Sequence, residues 1–347
     1  MLRIDKPQWL DEVQRPPAAV PPGSTRPAPL LFDAEHRPIT TVAGWVGRRT
    51  ELRRAWQAFL GAIPGPRPAN RLEVVDEDHP EGVIRQRVRY EAEPGLPVEG
   101  YLLQPDRPGT RRPAAVVLHS TVEWTIRQPA GLQGPADLHI GLHLARRGYV
   151  TFCPRCFLWD YRQDRRPESA VDWLHRRHPE VTGMAKMLFD ATRAVDLLGA
   201  HPDVDPRRIT AIGHSLGAKE VLYLAAFDER IRAAVSSEGG IGMSYSNWDA
   251  PWYLGAAIRR PEFGLDHGQV LALCAPRAFL LIGGDSADGD QSWPYIAEAL
   301  PLWKLAGAPE ALGLFTHGQG HSFPPIAQSR AYEWLDWFSS PPEPAAE

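Results

Sequence analysis

The sequence contains little cysteine and no long apolar run. Its 347 residues include only three cysteines, Cys153, Cys156 and Cys274, which are too few for a disulfide framework. No apolar stretch approaches the ~18–20 residues of a membrane-spanning helix. The short Arg-Arg pairs are interrupted by acids, and the formal net charge is -4. We therefore expect buried, reduced thiols and no membrane or nucleic-acid partner.

Signals for targeting, metal binding and phosphate binding are also missing. The N-terminal residues, MLRIDKPQWLDEV, contain no continuous apolar segment of the kind found in a signal peptide, which favours the cytoplasm. A leader removed beforehand would leave no trace. His139 and His143 are four residues apart, but no third ligand accompanies them, and no glycine-rich phosphate loop occurs. The sequence therefore predicts neither a metal nor a cofactor.

The chain changes character at about residue 71. Residues 11–40 are rich in proline, which favours an extended segment on the surface, and residues 45–60 have the apolar spacing of a helix. We expect residues 1–70 to form an extension packed on one domain, residues 71–347. Hydrophobic residues make up 43% of the chain, enough for a large core.

Short apolar runs alternate with helical patterns through this domain. Such alternation indicates an α/β fold with a mostly parallel sheet and helices on both faces. The predicted strands cover residues 114–118, 149–153, 208–212, 231–236, 278–282 and 311–315, after a hairpin around Glu93-Pro94-Gly95. The predicted helices cover residues 136–147, 184–199, 216–227, 293–306 and 326–338.

Residues 213–217 read GHSLG, a G-x-S-x-G pattern between a predicted strand and a predicted helix. A nucleophilic serine in such a turn adopts strained backbone angles, and glycines on either side avoid clashes. The helix N-terminus favours negative charge beside the serine. Ser215 is therefore the predicted nucleophile. The alternative interpretation is a Ser-Gly turn at the surface.

A serine nucleophile needs a base and a carboxylate, which follow it in the chain after such an elbow. His321 is the predicted base because it lies in a glycine-rich loop, THGQGHSFPP, after the last predicted strand. His317 is expected to support it, and His267 is expected at the surface. The loop GGDSADGD, after the strand at 278–282, supplies the acid, with Asp288 preferred over Asp290 and Asp285.

Acyl transfer also needs N–H donors for the oxyanion. The backbone N–H of Leu216, directly after the nucleophile, is one candidate. The second is expected in the loop after the strand at 114–118, where the backbone N–H of Thr121 is preferred.

Taken in order, these motifs resemble the α/β-hydrolase superfamily, and within it the dienelactone-hydrolase-like and acetyl xylan esterase-like branch. The resemblance covers about residues 84–340 and includes LHST, LARRGYVTFCPR, GHSLGAKE, GGDSAD and GQGHSFP. It implies Ser215 as nucleophile, Asp288 as acid, His321 as base, and Leu216 and Thr121 as oxyanion donors. His119-Ser120 replaces the usual His-Gly of the oxyanion loop, and Ser215 replaces the cysteine of dienelactone hydrolase itself.

An aromatic loop at residues 239–254, GGIGMSYSNWDAPWYL, follows the strand at 231–236. Loops at the carboxyl ends of parallel strands form the binding pocket in such sheets. The predicted substrate-binding side chains are Tyr245, Trp248, Trp252, Tyr253, Trp124 and Lys219. The aromatic residues could equally anchor the loop. Lys219 could bind sugar hydroxyls or form a salt bridge with a buried acid such as Glu238.

The predicted function is a serine carboxylic-ester hydrolase that forms an acyl-enzyme. Acetylated sugars and small aryl or alkyl esters are the expected substrates. A peptidase or amidase of the same fold is the first alternative, and a non-catalytic binding protein is the second. The sequence predicts no particular oligomeric state.

Overall fold

Aliphatic and β-branched runs form the central strands of a nine-stranded mixed sheet, in the order β1-β2-β3-β5-β4-β6-β7-β8-β9. A computed structural model describes residues 5–107, 109, 111–159 and 166–340. The strands are β1 (Glu73–Asp78), β2 (Val83–Glu93), β3 (Leu96–Pro105), β4 (Arg112–Leu118), β5 (Val150–Pro154), β6 (Val204–His214), β7 (Ile231–Ser237), β8 (Ala278–Gly283) and β9 (Leu312–Thr316).

Helices cover the sheet on both faces. They are α1 (Val42–Leu60), α2 (Ile140–Arg146), α3 (Pro167–Arg177), α4 (Gly183–Ala200), α5 (Leu216–Phe227), α6 (His267–Ala272), α7 (Trp293–Leu305) and α8 (Pro325–Ser339). The α5 helix is buried along almost its whole length, as its apolar sequence LGAKEVLYLAAF requires. Within the described residues, no helix is long and apolar enough to cross a membrane.

The direction of the strands gathers several loops at one edge of the sheet. β1, β2 and β3 form an antiparallel meander, and β5 pairs antiparallel with β3. β5, β4 and β6 to β9 are parallel to their neighbours. The loops after β4, β6, β7, β8 and β9 therefore leave the sheet at the same end, where ligands bind in sheets of this kind.

The predicted α/β architecture is confirmed, and two departures from the predicted elements have identifiable causes. β1 is an exposed edge strand with the sequence EVVDED, so it carries no apolar run. The helix predicted over 136–147 is interrupted at His139, whose φ and ψ of -77° and 43° are not helical, and α2 begins after it.

The N-terminal segment lies across the domain before α1 begins. The Trp9 ring stacks on Trp334 of α8 with centroids 6.3 Å apart, and its indole N–H donates to Glu333. Further along, the backbone N–H of Ala28 donates to Asp266 at 2.8 Å. These contacts fix an extended, proline-rich segment that forms few hydrogen bonds of its own.

Candidate active site

Ser215 lies in the sharp turn between β6 and α5. Its φ of 59° and ψ of -118° fall outside the regions that ordinary side chains prefer. Both flanking glycines are required by close approach. A Cβ on Gly213 would lie 2.3 Å from the carbonyl carbon of Gly217, and one on Gly217 would lie 2.1 Å from the Leu118 oxygen. The GHSLG pattern therefore forms the strained elbow that it predicts.

His321 contacts Ser215 directly. It lies in the loop between β9 and α8, and its Nε2 is 2.9 Å from Ser215 Oγ. Its side chain is 44% exposed, so the imidazole remains reachable from solvent. This distance is short enough for proton transfer between the hydroxyl and the ring.

The carboxylate against the other ring nitrogen belongs to Glu238. Its Oε2 lies 3.0 Å from His321 Nδ1, and the side chain is buried. The backbone N–H groups of Gly284 and Ala287 donate to the same carboxylate. Burial raises the pKa of Glu238, but the bonds from His321 and these amides outweigh it and lower the pKa below the usual value. Glu238 is therefore held as a carboxylate that orients His321.

The prediction that Asp288 contacts the histidine is corrected by this geometry. Asp288 is buried, and it accepts hydrogen bonds from the backbone N–H groups of Gly240 and Ile241, at 2.6 and 2.8 Å, and from Ser292 Oγ at 2.8 Å. It anchors the loop that follows β7. The runner-up, Asp290, forms a hydrogen bond with Thr316.

The oxyanion candidates flank the elbow. Leu216 is the first residue of α5, so its N–H has no preceding helical carbonyl to bind. Thr121 is exposed, three residues after the end of β4. The Ser120 hydroxyl donates to the His214 carbonyl at 3.3 Å, which joins the loop after β4 to the end of β6. Their function as donors remains a prediction.

His119 fixes the same loop on its other side. Its Nδ1 lies 2.8 Å from the Ser120 carbonyl, and its Nε2 accepts from the Cys156 N–H at 3.1 Å. Burial lowers the pKa of His119 to about 4, so the ring is neutral near pH 7. A neutral ring with Nδ1–H donating and Nε2 accepting satisfies both bonds.

Three of the predicted substrate-binding residues are buried: Trp248 and Tyr253 in the aromatic loop, and Lys219 on α5. Trp248 is 1% exposed, and its indole N–H donates to the Gly240 carbonyl at 2.6 Å. Tyr253 is 3% exposed and Lys219 is 6% exposed. Because these three side chains are buried, they do not form the predicted substrate surface. Trp248 and Tyr253 anchor the loop, as the alternative interpretation of the aromatic residues proposes.

The contacts of Lys219 also replace the predicted salt bridge with Glu238. Its Nζ donates to Ser246 Oγ at 2.6 Å and lies 4.0 Å from the centre of the Trp248 ring. Burial lowers the pKa of Lys219 to about 7, and the charge of Asp288 partly opposes this.

The other predicted aromatic residues are partly exposed. The Tyr245 hydroxyl lies 3.0 Å from Ser292 Oγ, so part of this side chain supports the Asp288 loop. Trp252 is half-buried and packs against Tyr253. Trp124 lines a separate cleft beside the loop after β4.

His267 and the cysteines lie in the interior. His267 is fully buried, because its Nδ1 binds the Ile241 carbonyl at 2.7 Å and its ring packs on Trp248, so the expectation of a surface residue is wrong. The three cysteines are buried and not disulfide-bonded. Across residues 5–340, apart from the gaps given above, no group of three or more His, Cys, Asp or Glu side chains could hold a metal.

Comparison with known proteins agrees with the geometry of the elbow and the sheet. Residues 98–250 match the Dienelactone hydrolase family, a region that includes Ser215 and Glu238 and ends before His321. The chain has the α/β-hydrolase fold. The match to the Dienelactone hydrolase family confirms the predicted resemblance to the dienelactone-hydrolase-like branch. It also supports the expected enzyme class, a carboxylic-ester hydrolase. Among curated proteins, none matches the sequence significantly.

Solved α/β-hydrolase structures match over most of the chain. A glucuronoyl esterase from Solibacter usitatus is 18% identical, with a TM-score of 0.72, covering 91% of this chain and 98% of that one. A CE15 glucuronoyl esterase from Teredinibacter turnerae is 18% identical, with a TM-score of 0.67 and 89% of each chain covered. A protein from Bacteroides fragilis, provisionally assigned as an acetyl xylan esterase, is 16% identical, with a TM-score of 0.61, covering 79% of this chain and 76% of that one.

Proposed function

We propose that this α/β-hydrolase is a serine carboxylic-ester hydrolase with Ser215 as nucleophile, His321 as base and Glu238 as acid. The observation that carries the proposal is the continuous chain from Ser215 Oγ to His321 Nε2, 2.9 Å, and from His321 Nδ1 to Glu238 Oε2, 3.0 Å. A serine hydroxyl becomes an effective nucleophile when a base accepts its proton and a carboxylate orients that base.

In the first half-reaction, Ser215 Oγ bonds to the ester carbonyl carbon while its proton passes to His321 Nε2. The resulting oxyanion accepts hydrogen bonds from the backbone N–H of Leu216 and, in this proposal, of Thr121. When the tetrahedral intermediate collapses, the bond to the alkoxy oxygen breaks. His321 returns the proton to that oxygen, so the alcohol leaves and an acyl-Ser215 ester remains.

In the second half-reaction, water replaces the alcohol. His321 takes one proton from the water, whose oxygen bonds to the acyl carbon, and then gives that proton to Ser215 Oγ as the acyl bond breaks. The acid product leaves and the enzyme regains its starting protonation. Glu238 stays ionised throughout, because it accepts from His321 Nδ1 and from two backbone amides.

A cleft beside the oxyanion loop supports a substrate with an extended polar group. The cleft has a volume of about 560 Å³, within the range of small-molecule sites. Its lining includes Glu123, which is two residues after Thr121 in the chain. Trp159 also lines the cleft, and its ring lies edge-on to that of His119 with centroids 5.4 Å apart. The charged side chains in its lining are Asp76, Arg87, Glu99, Glu123, Arg127 and Arg155.

The composition of this cleft is compatible with an ester of a carbohydrate. Trp124, Trp159 and Tyr101 offer flat apolar surface, and the charged groups offer hydrogen bonds to hydroxyls without an excess of either sign. The similar structures named as glucuronoyl and acetyl xylan esterases point to the same substrate class.

A burst assay tests the catalytic proposal. With p-nitrophenyl acetate, the wild-type protein is expected to release one equivalent of chromophore rapidly and then turn over, because the acyl-enzyme accumulates. Ser215→Ala is expected to lose both phases. If the two proteins behave alike, the proposal is wrong. A matched anilide, hydrolysed more slowly than the ester, would favour an esterase over an amidase.

A second assay tests the substrate class. Trp124→Ala is expected to raise KM for an acetylated xylo-oligosaccharide about 3- to 10-fold, because one aromatic contact worth about 1 kcal/mol is lost. The same variant is expected to leave p-nitrophenyl acetate hydrolysis unchanged. Trp252→Ala is the matched control, since Trp252 lies outside the cleft lining. Equal effects of the two variants would contradict the assignment of the cleft.

A further inference from the structure

Gly284 is the first residue after β8, and it lies where the proposed acid meets the loop of the proposed base. It is buried, and its backbone N–H donates to Glu238 Oε1. Its carbonyl accepts from the Gly320 N–H at 2.7 Å. Gly320 directly precedes His321 in the loop between β9 and α8, residues 317–324, which we call the base loop. The backbone of one residue therefore binds both the carboxylate and the chain that carries the imidazole.

The missing side chain of Gly284 allows the base loop to approach closely. A Cβ on Gly284 would lie 2.0 Å from the Gly320 oxygen and 2.5 Å from Cε1 of the His317 ring. The ring belongs to a side chain that can rotate away, but the oxygen belongs to the peptide bond that joins Gly320 to His321. Contacts of a real Cβ essentially never fall below 3.0 Å, so this peptide would have to move by about 1 Å.

The position of this peptide affects both hydrogen bonds of the His321 ring. The Nδ1 atom lies 3.0 Å from the Glu238 carboxylate, and the Nε2 atom lies 2.9 Å from Ser215 Oγ. Gly284 binds the same carboxylate, so it fixes the acid and the base relative to each other. A displacement of about 1 Å in a catalytic group can cost about 100-fold in rate.

We propose that Gly284 is a positioning residue: its N–H holds Glu238, its carbonyl holds the base loop, and its lack of a side chain lets that loop place His321 against the acid. The inference rests on the proposed function, because it concerns the geometry of the same base. Gly284 contacts the acid and the base loop rather than the reacting atoms. A side chain at this position should therefore lower turnover and leave substrate binding unchanged.

Gly283 provides a matched control for an added methyl group. It is also buried, neither glycine has a positive φ, and successive side chains along a strand point to opposite faces. A Cβ on Gly283 would lie 2.5 Å from the carbonyl carbon of Asp288 and from the Gly289 nitrogen. Gly283→Ala therefore adds the same atom against the loop after β8, and it keeps the bond from the His317 N–H to the Gly283 carbonyl.

The assay is p-nitrophenyl acetate hydrolysis by the full chain, with kcat divided by the folded fraction that urea denaturation gives for each variant. We expect Gly284→Ala to lower kcat about 30- to 100-fold with KM within about twofold, and Gly283→Ala to lower kcat less than about fivefold. Both variants should lose stability, because each adds a methyl group to a close-packed turn.

Equal losses of kcat in the two variants, or a change confined to KM, would overturn the proposal. A merely structural glycine would reduce the folded fraction and leave kcat per folded molecule unchanged, which would also overturn it. The same holds if Gly284→Ala does not fold, because the close contact would then be needed for the fold rather than for the base. The proposed function fails separately: a burst that survives in Ser215→Ala would refute it, whereas an inactive Ser215→Ala beside a fully active Gly284→Ala would refute only this inference.

Discussion

Two buried carboxylates lie at neighbouring strand ends, and only one of them contacts the histidine. Glu238 follows β7, and Asp288 lies in the loop after β8. Each accepts two backbone amides. They differ in the third partner, which is His321 Nδ1 for Glu238 and Ser292 Oγ for Asp288. In the proposed mechanism, therefore, the carboxylate after β7 serves catalysis, whereas the carboxylate after β8 holds a loop in place.

The backbone at Glu238 explains the difference. Its φ of 57° is unusual for a residue with a side chain and turns the chain sharply at the end of β7. The carboxylate therefore lies beside the end of β8, where the Gly284 and Ala287 N–H groups donate to it. From there it contacts His321 in the loop after β9. Asp288 faces back towards Gly240 and Ile241 and secures the chain directly after that turn.

Exchanging each carboxylate for its amide gives the largest expected difference between the two sites. Glu238→Gln should lower kcat for p-nitrophenyl acetate about 10³- to 10⁴-fold, because the amide no longer holds His321 as the tautomer with a proton on Nδ1. Asp288→Asn should change kcat less than about tenfold, since Asp288 contacts neither Ser215 nor His321. Steady-state kinetics on both variants measures this.

Circular dichroism spectra and melting temperatures provide the control for this pair. A catalytic loss in Glu238→Gln should come with a folded protein. If Asp288→Asn lost as much kcat per active site as Glu238→Gln, the assignment of Glu238 as the acid would be wrong, and Asp288 would again be the candidate acid.

The sequence predicts the contact between Ser215 and His321, the proposed nucleophile and base, because each residue carries a local signal. Ser215 lies between a buried strand and an apolar helix, and His321 lies in a loop with glycines after the last strand. Both signals depend on spacing along the chain, which the sequence records directly.

The carboxylate that contacts His321 could not be predicted in this way, because acidic residues follow two neighbouring strands. GGDSADGD offers three aspartates at the expected place, whereas Glu238 is a single acid in SSEGG, directly after β7. The glycines at 239 and 240, which a sharp turn after a strand requires, are the signal that could have identified it. The direction in which a carboxylate faces depends on the neighbouring loop, and that is a tertiary property.

The burial of the aromatic loop also could not be predicted from the sequence. The rings of Trp248 and Tyr253 could stack on a sugar or pack in the hydrophobic core, and the sequence does not distinguish these two cases. In the structure both rings are buried. Their burial depends on Lys219 and His267, which come from separate helices and pack against the Trp248 ring.

Removing the Asp288 carboxylate should reduce the stability of the fold. Asp288→Ala leaves two buried N–H groups and the Ser292 hydroxyl without their acceptor, at a cost of about 1–3 kcal/mol for each group left unsatisfied. Summed over the three groups, we expect a loss of about 3 kcal/mol or more in the free energy of unfolding, measured by urea denaturation near pH 7. Ser292→Ala removes that third partner, together with the contacts of its hydroxyl to the Tyr245 hydroxyl and the Gly289 N–H, and should lose about 1–2 kcal/mol. Equal losses for the two variants would contradict the anchoring function of Asp288.

The smallest expected effect concerns Lys219, which feels the charge of Asp288. Burial lowers the pKa of Lys219 from 10.5 to about 7, so between these pH values the unfolded chain binds a proton that the folded chain releases. Stability should therefore rise with pH across this window in the wild type, by up to about 1.4 kcal/mol per pH unit for one proton. In Lys219→Met this contribution is absent. The difference in unfolding free energy between the two proteins should change by about 1 kcal/mol between pH 7.5 and 8.5, whereas parallel pH profiles would show that Lys219 keeps its proton. In Asp288→Asn the loss of the nearby negative charge should extend the rise to lower pH, which would place the effect of that carboxylate on the loop and its lysine rather than on His321.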